Sequence, residues 1–214
     1  MARYLNRADA GRQVARSLAG YREIVDGLVL ALPRGGIPVG AEVARILGLP
    51  IDVFVVRKLG VPGQEELAMG AIATGGVRVL NDEVIHQLGI LPEEVESVTG
   101  RERAELVRRE ALYRQGRPPL DVKGKTVILV DDGLATGASM YAAVLALRAQ
   151  APARIVAAVP VAAPETCEAF RRFVDEMVCT FTPEPFYGVG TWFEDFSQVS
   201  DEEVRRLLSQ SRAS

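Results

Sequence analysis

The stretch TVILVDDGLATGASM, Thr126 to Met140, joins an aliphatic run to two aspartates and then to a turn of glycines and hydroxyl residues. A short run that is apolar throughout is typical of a strand buried on both faces. We therefore expect Asp131 and Asp132 at the end of a buried strand, with a helix starting near Ser139. Because a helix N-terminus offers unpaired N–H groups and the positive end of its dipole, Thr136 to Ser139 suits a phosphate.

The aspartates point to a different part of the same ligand. Adjacent carboxylates accept hydrogen bonds from vicinal hydroxyls and hold the hydration shell of Mg²⁺. Gly133 and Gly137 let the backbone approach such a ligand closely. The run predicts a site for a ribose diol and a phosphate, with Asp131 and Asp132 holding the metal through water. An ordinary capped helix with loop carboxylates is the alternative, and the length of the pattern disfavours it.

Strands and helices alternate on both sides of this run. GLVLALP from Gly27 and IDVFVV from Ile51 are further buried strands with a helix between them, and RIVAAVPVA from Arg154 is a later one. This order predicts an α/β fold, a Rossmann-like parallel sheet flanked by helices, in a single domain over residues 1–214. Ligands of such sheets bind at the carboxyl ends of the strands, so three polar clusters are expected on one rim: Arg34-Gly35, Arg57-Lys58 and Asp131-Asp132.

Two segments are expected to lie outside this alternation. Residues 57–76 are rich in glycine and charge, which predicts a long mobile loop leading into a short strand at MGAIAT. Residues 81–116 predict a helical insertion whose many charges form a solvated outer face. The arginines of the N-terminal segment are likewise interpreted as the solvated face of a first helix: Arg3, Arg7, Arg12 and Arg16.

Composition limits the classes of partner. The chain has 214 residues with 25 basic and 28 acidic side chains, a net charge of −3, so nucleic acid is not expected as a partner. No stretch approaches the length of a membrane span. Cys167 and Cys179 are too few for a disulfide framework, which favours two reduced thiols in a cytoplasmic protein.

VILVDDGLATGAS closely resembles the phosphoribosyl pyrophosphate (PRPP) signature of type I phosphoribosyltransferases, and the resemblance extends from about Gly27 to Phe181. It implies Mg²⁺-dependent transfer of a 5-phosphoribosyl group from PRPP to a nitrogenous base or similar small acceptor, with Asp131 and Asp132 holding the sugar diol. It also implies a loop that binds the 5-phosphate: Gly133, Leu134, Ala135, Thr136, Gly137, Ala138 and Ser139. VRKLGVPGQEELAMGAIA is similar to a subgroup of predicted bacterial members.

The resemblance assigns further parts of the site. LPRGG, Leu32 to Gly36, matches the pyrophosphate loop, where members of the family often have a cis peptide that is not followed by proline. Arg34, Gly35 and Gly36 would then bind pyrophosphate, and Arg57 and Lys58 would neutralise it beneath a closing loop at residues 60–70. A hood over the base would come from residues 181–214 and 1–25, with Trp192 or Phe193 stacked on the base.

Other interpretations stay open at this stage. A regulator could keep the fold as a PRPP sensor without transferase activity, although this chain shows neither an added winged helix nor a basic balance. A phosphoacceptor receiver domain also has acidic strand ends, but it does not need the TGAS loop. The oligomeric state is open, a homo-oligomer included.

Overall fold

A computed structural model describes residues 3–210 of the chain. Its strands are β1 Gly27–Ala31, β2 Ile51–Val53, β3 Val56–Val61, β4 Gln64–Ala73, β5 Val77–Leu80, β6 Thr126–Val130, β7 Arg154–Val161 and β8 Glu176–Phe181. Its helices are α1 Arg7–Ser17, α2 Gly36–Leu47, α3 Asp82–Leu88, α4 Pro92–Arg114, α5 Ala138–Arg148, α6 Pro164–Phe170 and α7 Asp201–Gln210.

The central sheet is parallel and has five strands in the order β2-β1-β6-β7-β8. Alternate side chains of its strands point to opposite faces of the sheet and pack in two separate cores. On one face, Val29 and Ile128 pack with residues of α1 and α2. Leu28 and Leu129 pack on the other face with residues of α5 and α6. Helices therefore cover both faces, as continuously apolar parallel strands require, and the predicted Rossmann-like architecture is confirmed.

Residues 57–76 depart most from the predicted structure. The glycines there predict a loop, but β3, β4 and β5 form a separate antiparallel sheet in that order. Leu59 and Met69 are fully buried in the core and fix the β3–β4 hairpin to it. Gly60 lies inside β3, where an added Cβ would approach the carbonyl oxygen of Glu65 to 2.7 Å. The predicted loop was wrong because burial of alternate apolar residues outweighs the glycine content.

The predicted helices of residues 81–116 are confirmed as α3 and α4, and most of their charges face solvent. Arg108 and Arg109 both pair with Glu105 on the same helix. Arg114 differs because it is buried and donates to the carboxylate of Asp52 on β2.

Within residues 3–210, no helix is both long and apolar enough to cross a membrane.

The two cysteines are joined. A disulfide links Cys167 on α6 to Cys179 on β8, with the Cα atoms 6.5 Å apart. The expectation of two reduced thiols was therefore wrong. The two cysteines are 12 positions apart in sequence, so no short motif indicates the pairing. They meet because α6 packs beside β8, the strand that follows it.

Candidate functional site

The ends of β1 and β6 form the centre of the site. The two strands pair in parallel with Ala31 opposite Val130, so they end at the same level. Gly36 lies so close to β6 that an added Cβ would be 2.8 Å from the carbonyl oxygen of Val130. A Cβ on Gly35 would collide with the Asp132 carboxylate. The Pro33-Arg34 peptide is cis. The expected meeting of the Leu32–Gly36 loop with the aspartates is thus observed.

The loop after the aspartates leads into α5. Gly137 is the N-cap residue of α5 and has φ +77°, a left-handed conformation that favours glycine. Gly137 has no side chain to cap this helix start, and the Thr136 hydroxyl accepts only a long hydrogen bond of 3.5 Å from the N–H of Ala138. Thr136, Ala138 and Ser139 are exposed, whereas Leu134 is buried and its backbone N–H and carbonyl groups pair with Val161 and Ala163. The N-terminus of α5 therefore presents backbone N–H groups to an incoming anion.

Helix α6 and the strand before it support this loop from behind. The Thr166 hydroxyl donates to the carbonyl oxygen of Ala135 at 2.9 Å. The N–H of Leu134 donates to the carbonyl oxygen of Val161 on β7 at 2.9 Å. The ring of Phe170 packs so closely on Gly137 that a side chain there would clash with it. Side chains from outside the motif thus fix the shape of the loop.

The two aspartates have unlike surroundings although both are half-buried. The Asp131 carboxylate accepts a hydrogen bond of 2.8 Å from the N–H of Asp132. Burial and the neighbouring Asp132 carboxylate raise the pKa of Asp131 well above its usual range, against smaller opposing effects. Asp132 instead forms an ion pair with Arg7 of α1, with Nε 2.8 Å from Oδ2. The pair therefore holds a carboxyl group that resists ionisation beside one that a guanidinium stabilises.

The predicted cationic residues have separate partners. Arg34 faces Asp201 of α7, with Nη1 3.9 Å from Oδ1. Arg57 is bound to Glu102 of α4, with Nε 2.7 Å from Oε2. Lys58, next along β3, lines a cavity of about 370 Å³ between the antiparallel sheet and α5. Arg57 and Lys58 thus extend toward different helices, and their part in pyrophosphate binding stays a prediction.

Comparison with known proteins decides the family. A model of the phosphoribosyl transferase domain matches residues 4–182, which include the aspartate pair and both glycine loops. The chain therefore belongs to the phosphoribosyl transferase family. It has the type I fold of that family, as the signature at Val127 to Ser139 predicts.

The most informative relatives match nearly all of the chain. Two Mycobacterium tuberculosis proteins, from two strains and each provisionally named a phosphoribosyl transferase, are 44% identical to it over 208 residues. Those residues are 96% of this chain but 46% of each relative, so the chain spans about half the length of the curated relatives it matches. A Thermus thermophilus protein of known crystal structure is 41% identical, with a TM-score of 0.88 and coverage of 97% and 98% of the two chains.

The two aromatic residues predicted to stack on a base, Trp192 and Phe193, lie in the C-terminal part of the chain. Phe193 is buried, with its ring centroid 5.3 Å from that of Tyr4 and 4.9 Å from that of Phe196. Trp192 is half-exposed and meets the ring of Phe181 edge-on at 5.1 Å. Packing therefore accounts for Phe193, and Trp192 is the better placed of the two to meet a ligand.

Sequence reasoning missed two residues that contact the signature loop. Val189 covers Gly133 so closely that a side chain at that position would overlap it. Arg7 was interpreted as part of a solvated helix face, but it is the partner of Asp132. The only signal for Arg7 was its place among several arginines at the N-terminus, which does not distinguish it from the exposed Arg12.

Proposed function

We propose that this chain transfers the 5-phosphoribosyl group of PRPP to a nitrogenous base and releases pyrophosphate. The observation that carries the proposal is the contact between the Leu32–Gly36 loop and the aspartate pair, beside the open N-terminus of α5. These are three sites of different chemistry on one rim, and PRPP has three corresponding parts: a pyrophosphate, a sugar diol and a 5-phosphate.

Each part of the rim has a physical role in this reaction. The N-terminus of α5 would bind the 5-phosphate through backbone N–H groups, and the loop glycines would admit pyrophosphate near the backbone. A base nitrogen forms the new bond to C1 while the bond from C1 to pyrophosphate breaks. The leaving oxygen keeps the electron pair, and the proton of the base nitrogen passes to pyrophosphate or to water. The sugar is most cationic at that point, so the Asp131 and Asp132 carboxylates stabilise it where charge develops.

The Asp131 and Asp132 carboxyl groups suit a Mg²⁺ ion that arrives bound to the phosphates of the substrate. Among the described residues, no group of three or more acidic, histidine or cysteine side chains could hold a metal by itself. Mg²⁺ commonly takes one or two carboxylates and completes its shell with water and substrate phosphates. Asp131 and Asp132 would therefore hold the ion through water, and the ion would neutralise charge on pyrophosphate.

The acceptor belongs beneath the paired terminal segments in this proposal. Val189 lies over Gly133, and the half-exposed Trp192 follows it closely in the chain. A half-exposed indole ring suits a flat heterocycle, which would stack on its π-face. The proposal also includes a lid role for the β3–β4 hairpin and a homo-oligomeric form.

The test is pyrophosphate release from PRPP with Mg²⁺ and a panel of purine and pyrimidine bases. Turnover is expected with at least one base and none without Mg²⁺. A matched reaction with Asp131→Asn and Asp132→Asn controls for spontaneous breakdown of PRPP. If PRPP binds but no base on a broad panel gives release above this control, the transferase proposal fails.

A PRPP sensor of the same fold is the second candidate, and the Arg7–Asp132 ion pair favours it. A carboxylate already paired with a guanidinium offers less charge to a sugar cation than a free one. The two candidates differ in one measurement, since a sensor binds Mg²⁺–PRPP and leaves it intact with every base, whereas a transferase consumes it.

A further inference from the structure

Arg7 is held at three points. Its Nε donates to Asp132 Oδ2 at 2.8 Å, and its Nη1 donates to the carbonyl oxygen of Ser197 at 2.8 Å. The guanidinium carbon lies 3.8 Å from the centre of the Phe196 ring. Its side chain is 11% exposed, against 42% for Arg12 on the same helix. An arginine with these contacts is fixed in place, unlike an arginine on a solvated helix face.

The backbone on both sides of the ion pair is also fixed. The N–H of Tyr4 donates to the carbonyl oxygen of Trp192 at 3.0 Å, and the N–H of Glu194 donates to that of Tyr4 at 2.9 Å. The buried hydroxyl of Tyr4 donates to the carbonyl oxygen of Pro160 at 2.6 Å. Arg7 cannot leave Asp132 by a shift of the N-terminal segment without breaking these bonds.

We propose that Arg7 is a positioning residue that orients the Asp132 carboxylate toward the sugar diol of PRPP. This inference rests on the proposed function. Arg7 holds Oδ2, and Gly35 lies against the same carboxylate, so the side chain of Asp132 has little freedom to rotate. A carboxylate held in one orientation binds two neighbouring hydroxyls without first losing rotational freedom.

The positive charge of Arg7 also favours binding of PRPP. PRPP is a polyanion, and it must approach two adjacent carboxyl groups. A guanidinium within hydrogen-bond distance of Asp132 offsets the negative charge at that point while leaving the second carboxylate oxygen to accept from the ligand. The paired termini, which carry Arg7, Phe196 and Ser197, thereby become part of the sugar site.

The test compares ligands with and without a diol. Arg7→Met keeps the apolar length that packs on Phe196 but removes the charge and the donors. We expect its Kd for Mg²⁺–PRPP, measured by calorimetry, to rise roughly tenfold, the scale of one hydrogen bond to a charged group. Arg7→Lys, which keeps the charge without the planar fork, should recover part of that loss. Arg12→Met is the matched control and should change Kd less than about twofold.

Inorganic phosphate is the second probe, because it needs the start of α5 and no diol. Its affinity in Arg7→Met should stay within about twofold of wild type, since its donors are backbone groups. Equal weakening of both ligands would show a structural defect and overturn the positioning role, as would an unchanged Kd for Mg²⁺–PRPP. A wild-type protein that binds phosphate but not Mg²⁺–PRPP would instead overturn the proposed function, and this inference with it.

Discussion

Two regions around the aspartate pair differ in how they are built. The rim consists of residues 32–36 and 131–139, which follow directly on β1 and β6. The cover consists of residues 3–7 and 189–197, and its contacts join residues far apart, with 125 positions between Arg7 and Asp132 and 190 between Arg7 and Ser197. The rim is formed by residues that follow directly on two neighbouring strands. The cover forms only where the N-terminal and C-terminal segments of the chain pack together.

The two regions contribute differently to activity and to stability. The rim keeps half-buried carboxyl groups side by side, an arrangement that costs folding free energy because burial and the neighbouring carboxylate raise the pKa of Asp131. The cover and the support behind the phosphate loop add packed rings, backbone pairing and a disulfide. Changes in the rim should therefore mainly affect activity, and changes in its support should mainly affect stability.

The largest expected effect tests the rim. In the double variant Asp131→Asn and Asp132→Asn, the acidic pair that the proposed function places opposite the developing sugar cation is lost at nearly constant size. Pyrophosphate release should fall by roughly two to three orders of magnitude, the scale found when one pre-organised electrostatic contact is removed. Release and the thermal midpoint are measured on the same preparations. A folded double variant with normal turnover would remove the catalytic role, and an unfolded one would assign the pair to structure.

The next effect tests the support behind the phosphate loop. Replacing Cys167 and Cys179 by alanine removes the tie between α6 and β8. The free energy of unfolding should fall by roughly 3 kcal/mol, as expected when a short closed loop loses its disulfide. Urea unfolding is followed with and without dithiothreitol. Wild type should lose the same amount on reduction, and the variant should not respond; a wild type indifferent to reductant would contradict the tie.

Gly137 connects the rim to the support behind it, because it starts α5 and contacts Phe170 of α6. Gly137→Ala should lower the free energy of unfolding by about 1–3 kcal/mol, since the new methyl group meets the ring and the backbone is left-handed. It should also weaken phosphate binding. The matched control is Gly100→Ala within α4, where nothing lies near an added Cβ; it should be neutral or stabilising. Equal losses in both variants would argue against a special role for Gly137.

The same contrast explains what could be predicted from the sequence. The parallel sheet and the strand-end aspartates follow from short apolar runs and the residues next to them, so local patterns suffice. Arg7 could not be singled out, because its role depends on a partner in a distant strand. The hairpin of β3 and β4 was missed because Gly60 looks like a loop residue until the crowding by Glu65 is known. The disulfide likewise depends on how α6 folds back.

The smallest effect concerns Asp131 alone and has a defined pH dependence. Because its pKa is raised in the folded protein, the native state holds this proton more tightly than the unfolded chain. Its contribution to stability is therefore present below the ordinary aspartate pKa and is lost as pH rises toward the raised value. Asp131→Asn cannot ionise and escapes this loss.

The variant should consequently have a higher thermal midpoint than wild type at neutral pH, with about 2–4 °C for each kcal/mol regained in a chain of this size. The difference should shrink toward pH 4, where wild-type Asp131 is protonated in the native state. Thermal unfolding of both proteins across this range measures it. A variant less stable than wild type at pH 7 would show that an ionised Asp131 stabilises the fold, and the separation between an active rim and a stabilising support would not hold at this residue.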